Sequence, residues 1–174
     1  MGKLLGVFLT GAASVIAFNA IMGNTPAWFS YYRLYSSFLD VDPMTVFVPV
    51  VIGNIIVVTV LMFSGLTGRK WIPYLIVFWN GVPFGTLFFL MRYDVQRTTQ
   101  AILPHGLIEI PAFLFTAACA VHYIERTGKD TNATDRYVVR PYFMVILPLI
   151  ILGAAMEAYW SIPFNIEIFR QILY

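Results

Sequence analysis

The sequence predicts an all-α fold: a polytopic membrane helical bundle of about five transmembrane helices with short interfacial helices. The chain is 59% hydrophobic, and its mean hydropathy is +0.76. Only 11% of its residues are charged, about half the fraction that is typical of a soluble domain. Five apolar segments are each long enough to cross a bilayer, which takes roughly 20 helical residues.

The five apolar segments follow one another along the chain. They cover residues 4–22, 46–66, 71–91, 102–124 and 142–162. The first three contain no Asp, Glu, Lys or Arg, whereas the fourth contains Glu109 and the fifth contains Glu157. Because no Gly/Ser-rich or acidic linker interrupts the chain, we predict one integral membrane domain, 1–174.

Two further segments predict helices that lie along the membrane surface. The first follows Thr25 and Pro26, a favourable start for a helix, and carries aromatic residues at helical spacing as far as Leu39. The second begins at Pro163, after which Phe164 and Ile168 lie four residues apart. Amphipathic helices with an aromatic face are typical of the headgroup region.

The distribution of Lys and Arg predicts the orientation in the cell membrane. With five spans, the N-terminus shares a side with the second and fourth loops. That side holds seven basic residues: Lys3, Arg69, Lys70, Arg126, Lys129, Arg136 and Arg140. The opposite side holds four: Arg33, Arg92, Arg97 and Arg170. The excess predicts a cytoplasmic N-terminus and an outside C-terminus, and the net charge of +2 gives no indication of nucleic-acid binding.

The sequence PHGLIEIP at 104–111 is the most informative motif. His105 and Glu109 are four residues apart, so a helix would place both on one face, one turn from each other. Ionisable residues inside a span are costly and face protein, water or a partner group. We therefore expect the function to be concentrated here.

Depth along the helices predicts a column of polar residues. Glu109 lies near the start of the fourth span and Glu157 near the end of the fifth, each roughly 7–8 Å inside the outer boundary. His105 lies one turn closer to the surface, whereas Asn54 and Asn80 lie near the middle of the second and third spans.

Several interpretations of this column remain open. His105 and Glu109 could fasten helices together, as buried polar side chains in membrane proteins often do. Alternatively, His105, Glu109 and Glu157 could bind one divalent metal as a His/two-carboxylate site, although the sequence otherwise predicts no cofactor. Asn54 and Asn80 are better suited to hydrogen bonds between helices than to ion binding.

The third span contains residues that disturb a regular helix. Pro83 cannot bond the carbonyl of Trp79, and Gly81 and Gly85 permit close backbone approach. We therefore expect a kinked or partly unwound third span.

Four short motifs in the same order resemble the stage II sporulation protein M family. They are Gly53-Asn54, Asn80-Gly81-x-x-x-Gly85, PHGLIEIPA at 104–112 and AAMEA at 154–158, within a region of about 44–162. The resemblance implies a set of functional or architectural residues: His105, Gly106, Glu109, Asn54, Asn80, Gly81 and Glu157. It also implies an accessory role, since the namesake acts in engulfment as the membrane member of a complex with peptidoglycan-degrading proteins, and it implies no catalytic chemistry.

The sequence favours a non-enzymatic membrane scaffold or accessory protein, in contact with membrane lipids and with either further copies of itself or another membrane protein. The alternative is an oligomeric channel or transporter component that moves protons, cations or a small solute. An intramembrane metal-dependent enzyme is less well supported. The chain lacks a second His at metalloprotease spacing and a phosphate-binding loop, and no Ser or Cys lies at a spacing that suggests a nucleophile activated by His105.

Overall fold

The computed structural model describes residues 1–22, 42–90, 95–127 and 132–161, which are helical and contain no strand. This confirms the all-α prediction. The helices are α1 (Gly2–Met22), α2 (Pro43–Ser64), α3 (Trp71–Leu90), α4 (Val95–Arg126) and α5 (Asp135–Ser161). The predicted surface helices at 25–39 and after Pro163 lie outside the described residues.

Three parts of the described chain are long and apolar enough to cross a membrane. These are Pro43–Thr67, Leu103–Arg126 and Asp135–Ser161, which correspond to α2, most of α4 and α5. The apolar helices α1 and α3 complete the bundle. On α2, the apolar side chains of Ile52, Ile56 and Val60 are exposed at helical spacing.

The helix α5 is irregular in a way that the sequence did not predict. Its α-helical turns, Leu147–Met156, are flanked by the π-helical turns Tyr142–Ile146 and Glu157–Ser161, and a further π-helical turn, Asp135–Val139, begins the helix. Short π-helical insertions are rare and frequently occur at functional sites. The last π turn changes the angular positions of residues 157–161 about the axis of α5, and so which of their side chains face α4.

The helix α4 is the centre of the bundle because it contacts all four other helices and, like α2, contributes to both hydrophobic clusters. One cluster joins α4 to α1, α2 and α3 through Leu4, Phe8, Leu61, Val77, Phe84, Leu114 and Ala117. The other joins α4 to α2 and α5 through Val58, Met62, Ala112, Phe113, Cys119, Val138, Ile146 and Ile150. A polar side chain on a buried face of α4 therefore meets protein rather than lipid.

The helices α1 and α3 approach closely along glycines. A Cβ at Gly81 would clash with the carbonyl of Phe8, and a Cβ at Gly85 would clash with the carbonyl of Ala12. Residue numbers increase in the same direction along both helices, from Phe8 and Gly81 to Ala12 and Gly85, so α1 and α3 run parallel. This places the N-terminus at the same end of the bundle as the turn between α2 and α3, as five alternating spans require.

The expected unwinding of the third span is not found. The helix α3 continues from Trp71 to Leu90 with Pro83 inside it. Proline inside a membrane helix is tolerated where neighbouring groups satisfy the freed carbonyl. The glycines of α3 therefore serve its packing against α1 rather than a break in the helix.

Candidate functional site

The face of α4 that carries His105 and Glu109 points into the bundle. His105 is 6% exposed and Glu109 is 5% exposed, and Gly106 between them is also buried. The spacing of four residues places both side chains on one face of the helix. The packing of α4 against α2 and α5 then decides what each side chain meets.

Glu109 accepts a hydrogen bond from α2. The Nδ2 of Asn54 lies 2.8 Å from Oε1 of Glu109. The sequence placed Asn54 deeper in the membrane than Glu109, but the structure joins the two directly. A hydrogen bond from the amide compensates part of the cost of removing the carboxyl group from water.

The side chain of Glu109 also lies against Gly153 of α5. A Cβ at position 153 would be 2.5 Å from Cγ and 3.0 Å from Oε1 of Glu109. Gly153 is therefore part of the site, although sequence reasoning missed it. The available signal was its position one helical turn before Glu157, a weak one because glycine is common in membrane helices.

Glu157 joins the same site from α5. This half-buried side chain follows Gly153 by one helical turn, on the face of α5 that packs against Glu109. In the described part of the chain neither carboxyl group forms an ion pair with Lys or Arg. Two ionised carboxylates would repel each other strongly in a medium of low dielectric constant.

His105 is paired with a residue that the sequence did not single out. Its Nδ1 lies 2.6 Å from Oγ of Ser161, in the last π turn of α5, and its ring lies 6.5 Å from that of Phe84. The sequence suggested no serine for His105, because 56 residues separate the two. Ser161 is 0% exposed, and its contact with His105 joins α4 to α5.

Asn80 and Gly81 belong to a different part of the bundle. The Nδ2 of Asn80 donates to the carbonyl oxygen of Ile76 on its own helix, at 2.8 Å. Gly81 packs against α1. The predicted column is therefore divided: contacts of His105, Glu109 and Asn54 join α4 to α5 and α2, whereas Asn80 bonds its own helix.

The metal hypothesis has no support in the geometry. Among the residues that the structure describes, no three His, Cys, Asp or Glu side chains form a group that could hold a metal ion. The set proposed from the sequence, His105, Glu109 and Glu157, lies within those residues. His105 instead contacts Ser161, and Glu109 contacts Asn54.

Aromatic side chains lie next to the site at the ends of the helices. The Nε1 of Trp160 donates to the carbonyl oxygen of Gln100, at 3.2 Å, and the hydroxyl of Tyr159 lies 3.5 Å from Sδ of Met44. Both rings are largely exposed. Exposed Trp and Tyr of this kind are enriched where a membrane meets water.

These features define a helical membrane protein that gathers its buried polar groups between three packed helices. The chain belongs to the stage II sporulation protein M family, which it matches over residues 4–162. The match includes α1, which the motifs at 44–162 did not cover. No curated protein and no solved structure matches the chain.

Proposed function

We propose that the chain is a non-enzymatic membrane scaffold or accessory protein. The proposal rests on the observation that the buried polar groups contact one another across helices. Glu109 is engaged by Asn54 and enclosed by Gly153, and His105 is engaged by Ser161. These contacts join α2, α4 and α5, which is what a rigid support for partner proteins needs.

Enclosure of the site supports the proposal. A catalytic or binding site is usually a concave pocket whose polar groups face an open space. Here His105, Glu109 and Ser161 are all buried. The exposed surface offers apolar side chains instead, such as the stripe of Ile52, Ile56 and Val60 on α2, and such faces can contact lipid, a second copy or another membrane protein.

A photo-crosslinking amino acid tests the scaffold role. Placed at the exposed Ile56, it should form one discrete adduct in native membranes, with a partner or second copy identified by mass spectrometry. Placed at the fully buried Val58 on the same helix, it should form none. If Ile56 yields only lipid adducts, as do Ile52 and Val60, this face does not hold a protein partner.

A proton-conducting role is the second candidate, and one observation favours it. Glu109 packs against Gly153, one helical turn before Glu157, and neither carboxyl group forms an ion pair with Lys or Arg in the described part of the chain. Carboxyl groups arranged in this way occur in proton relays of membrane transporters. The pair could hold and release a proton if water reaches it.

Proteoliposomes that enclose a pH-sensitive dye separate the two candidates. A scaffold should leave the proton permeability at the level of protein-free vesicles, for the wild type and for Glu109→Gln alike. A proton flux that the wild type supports and Glu109→Gln abolishes would favour conduction. Glu125→Gln is the control, because Glu125 is an exposed carboxylate at the far end of the same helix.

A further inference from the structure

One end of the bundle is basic. It is formed by the turn between α2 and α3, the last turn of α4 and the first turns of α5. Together with Lys3 at the N-terminus, its exposed basic residues in the described chain are Arg69, Lys70, Arg126, Arg136 and Arg140. Two acidic residues lie at this end within the described ranges, Glu125 and Asp135.

Both of these carboxylates are already engaged. The Nζ of Lys70 lies 2.8 Å from Oε1 of Glu125, and Nε of Arg140 lies 2.6 Å from Oδ2 of Asp135. Arg69 and Arg126, by contrast, form no ion pair with a carboxylate in the described part of the chain. Two guanidinium groups are therefore available to an external anion.

The fold brings these two arginines to one corner. Their neighbours in the chain, Lys70 and Glu125, form the ion pair that connects the turn to α4. The turn also packs directly on α4, where a Cβ at Gly65 would be 3.0 Å from the carbonyl oxygen of Ala120. Arg69 and Arg126 are thus each next in the chain to one partner of this ion pair.

The turn that carries Arg69 is held in place by its own hydrogen bonds. Thr67 Oγ1 donates to the carbonyl oxygen of Ser64, at 2.7 Å, and accepts from the backbone N–H of Arg69, at 3.2 Å. The N–H of Ile72 donates to the carbonyl oxygen of Arg69, at 3.2 Å. Gly68 has a positive φ of 69°, which favours glycine and reverses the chain.

Exposed apolar side chains lie close to Arg69 in the chain. Phe63 and Leu66 are each 53% exposed, and Trp71 is 57% exposed. All three lie within six positions of Arg69 in the chain. A partner that fits both features carries an anionic group attached to hydrocarbon, since a soluble anion would leave the apolar surface unused.

We propose that Arg69 and Arg126 bind the phosphate of an anionic phospholipid whose acyl chains pack along Phe63, Leu66 and Trp71. Guanidinium groups match phosphate oxygens with paired hydrogen bonds. Basic pockets between transmembrane helices bind the headgroups of anionic lipids. This inference does not depend on the scaffold proposal, because the corner lies at the opposite end of α4 from His105.

Native mass spectrometry of the full chain in detergent tests the proposal. Phosphatidylglycerol should be retained in preference to phosphatidylcholine of the same acyl chains. Arg69→Gln and Arg126→Gln should each weaken this retention roughly fivefold. Arg140→Gln is the matched control: it removes the same charge at the same end, but Asp135 already pairs with that charge, so retention should not change.

Three results would overturn the proposal. Equal weakening by Arg140→Gln would mean that only the diffuse charge of this end attracts the lipid. Equal retention of phosphatidylcholine would mean that the phosphate contacts do not select for net charge. Displacement of phosphatidylglycerol by millimolar inorganic phosphate would assign the corner to soluble anions. The last two measurements use the wild-type chain and do not depend on the folding of any variant.

Discussion

Gly153 on α5 lies against Glu109 on α4 so closely that a Cβ at position 153 would be 2.5 Å from Cγ of the glutamate. The carboxylate side chain thus occupies space that any other residue at position 153 would fill. Asn54 approaches the same carboxyl group from α2. One buried glutamate therefore sets how closely three helices pack.

Gly153→Ala should destabilise the bundle. The added methyl group collides with Cγ of Glu109, which lies near the backbone of α4 and cannot move far. Overpacking of this kind typically costs about 1–3 kcal/mol. Thermal unfolding in detergent, followed by circular dichroism, measures the loss. Gly53→Ala on α2 is the control, because a Cβ there meets nothing within 4 Å and alanine favours a helix.

A double-mutant cycle assigns that loss to the contact. In a Glu109→Ala background the methyl group of Gly153→Ala no longer has Cγ to collide with. The free energy of unfolding lost through Gly153→Ala should therefore be much smaller there than in the wild type. An equal loss in both backgrounds would mean that position 153 is sensitive for some other reason.

Two replacements of Glu109 distinguish the contribution of its hydrogen bond to stability from that of its charge. Glu109→Gln keeps an acceptor oxygen for Nδ2 of Asn54, so stability should stay near that of the wild type. Glu109→Leu removes the acceptor of the part-buried amide of Asn54. We expect a loss of about 0.6 kcal/mol, the mean for such hydrogen bonds in membrane proteins.

Asn54→Leu completes this comparison. It should cost a similar amount in the wild type and almost nothing when combined with Glu109→Leu, as measured by unfolding in detergent. If Glu109→Gln were as damaging as Glu109→Leu, the carboxyl group itself would be essential to the fold, which would favour a role for its charge or its proton.

Helices and the faces within them could be predicted from the sequence, whereas depth was only partly right, because Asn54, expected deeper than Glu109, bonds it directly. Rotations about the helix axes could not be predicted. Composition and the length of the apolar segments predicted the helices, and the spacing of His105 and Glu109 predicted their common face. All of these depend only on the rise and period of a helix.

Contacts between helices depend on how each helix is turned toward its neighbours. Asn80 lies deep in α3, as expected, but bonds its own helix at Ile76. Ser161 reaches His105 from a π turn, which shifts the angular position of residues relative to a regular α-helix. Gly153 has no side chain whose chemistry could signal a contact.

Close packing of α1 on α3 makes a further prediction. Gly81→Ala should weaken the pair, because its Cβ would collide with the backbone carbonyl of Phe8, which cannot rotate away. We expect about 1–3 kcal/mol of destabilisation in detergent unfolding. Gly6→Ala on α1 is the matched control, since a Cβ there meets nothing within 4 Å. If both variants unfolded at the same temperature as the wild type, the close approach of the two backbones would be wrong.

The excess of Lys and Arg at one end of the bundle predicts that this end faces the cytoplasm. Cysteine labelling at the two ends of α4 tests this orientation. Gln96 and Thr127 are exposed and lie at opposite ends of this helix. The native Cys119 is buried and should react little with a bulky reagent. In intact cells, a membrane-impermeant maleimide should label Gln96→Cys and leave Thr127→Cys unlabelled, because positively charged ends stay in the cytoplasm. After lysis, both variants should be labelled, which controls for the reactivity of the two positions.

The opposite pattern would place Arg69 and Arg126 outside the cell and move His105, Glu109 and Glu157 to the cytoplasmic half of the membrane. A proton taken up at the site would then come from the cytoplasm rather than from the outer surface.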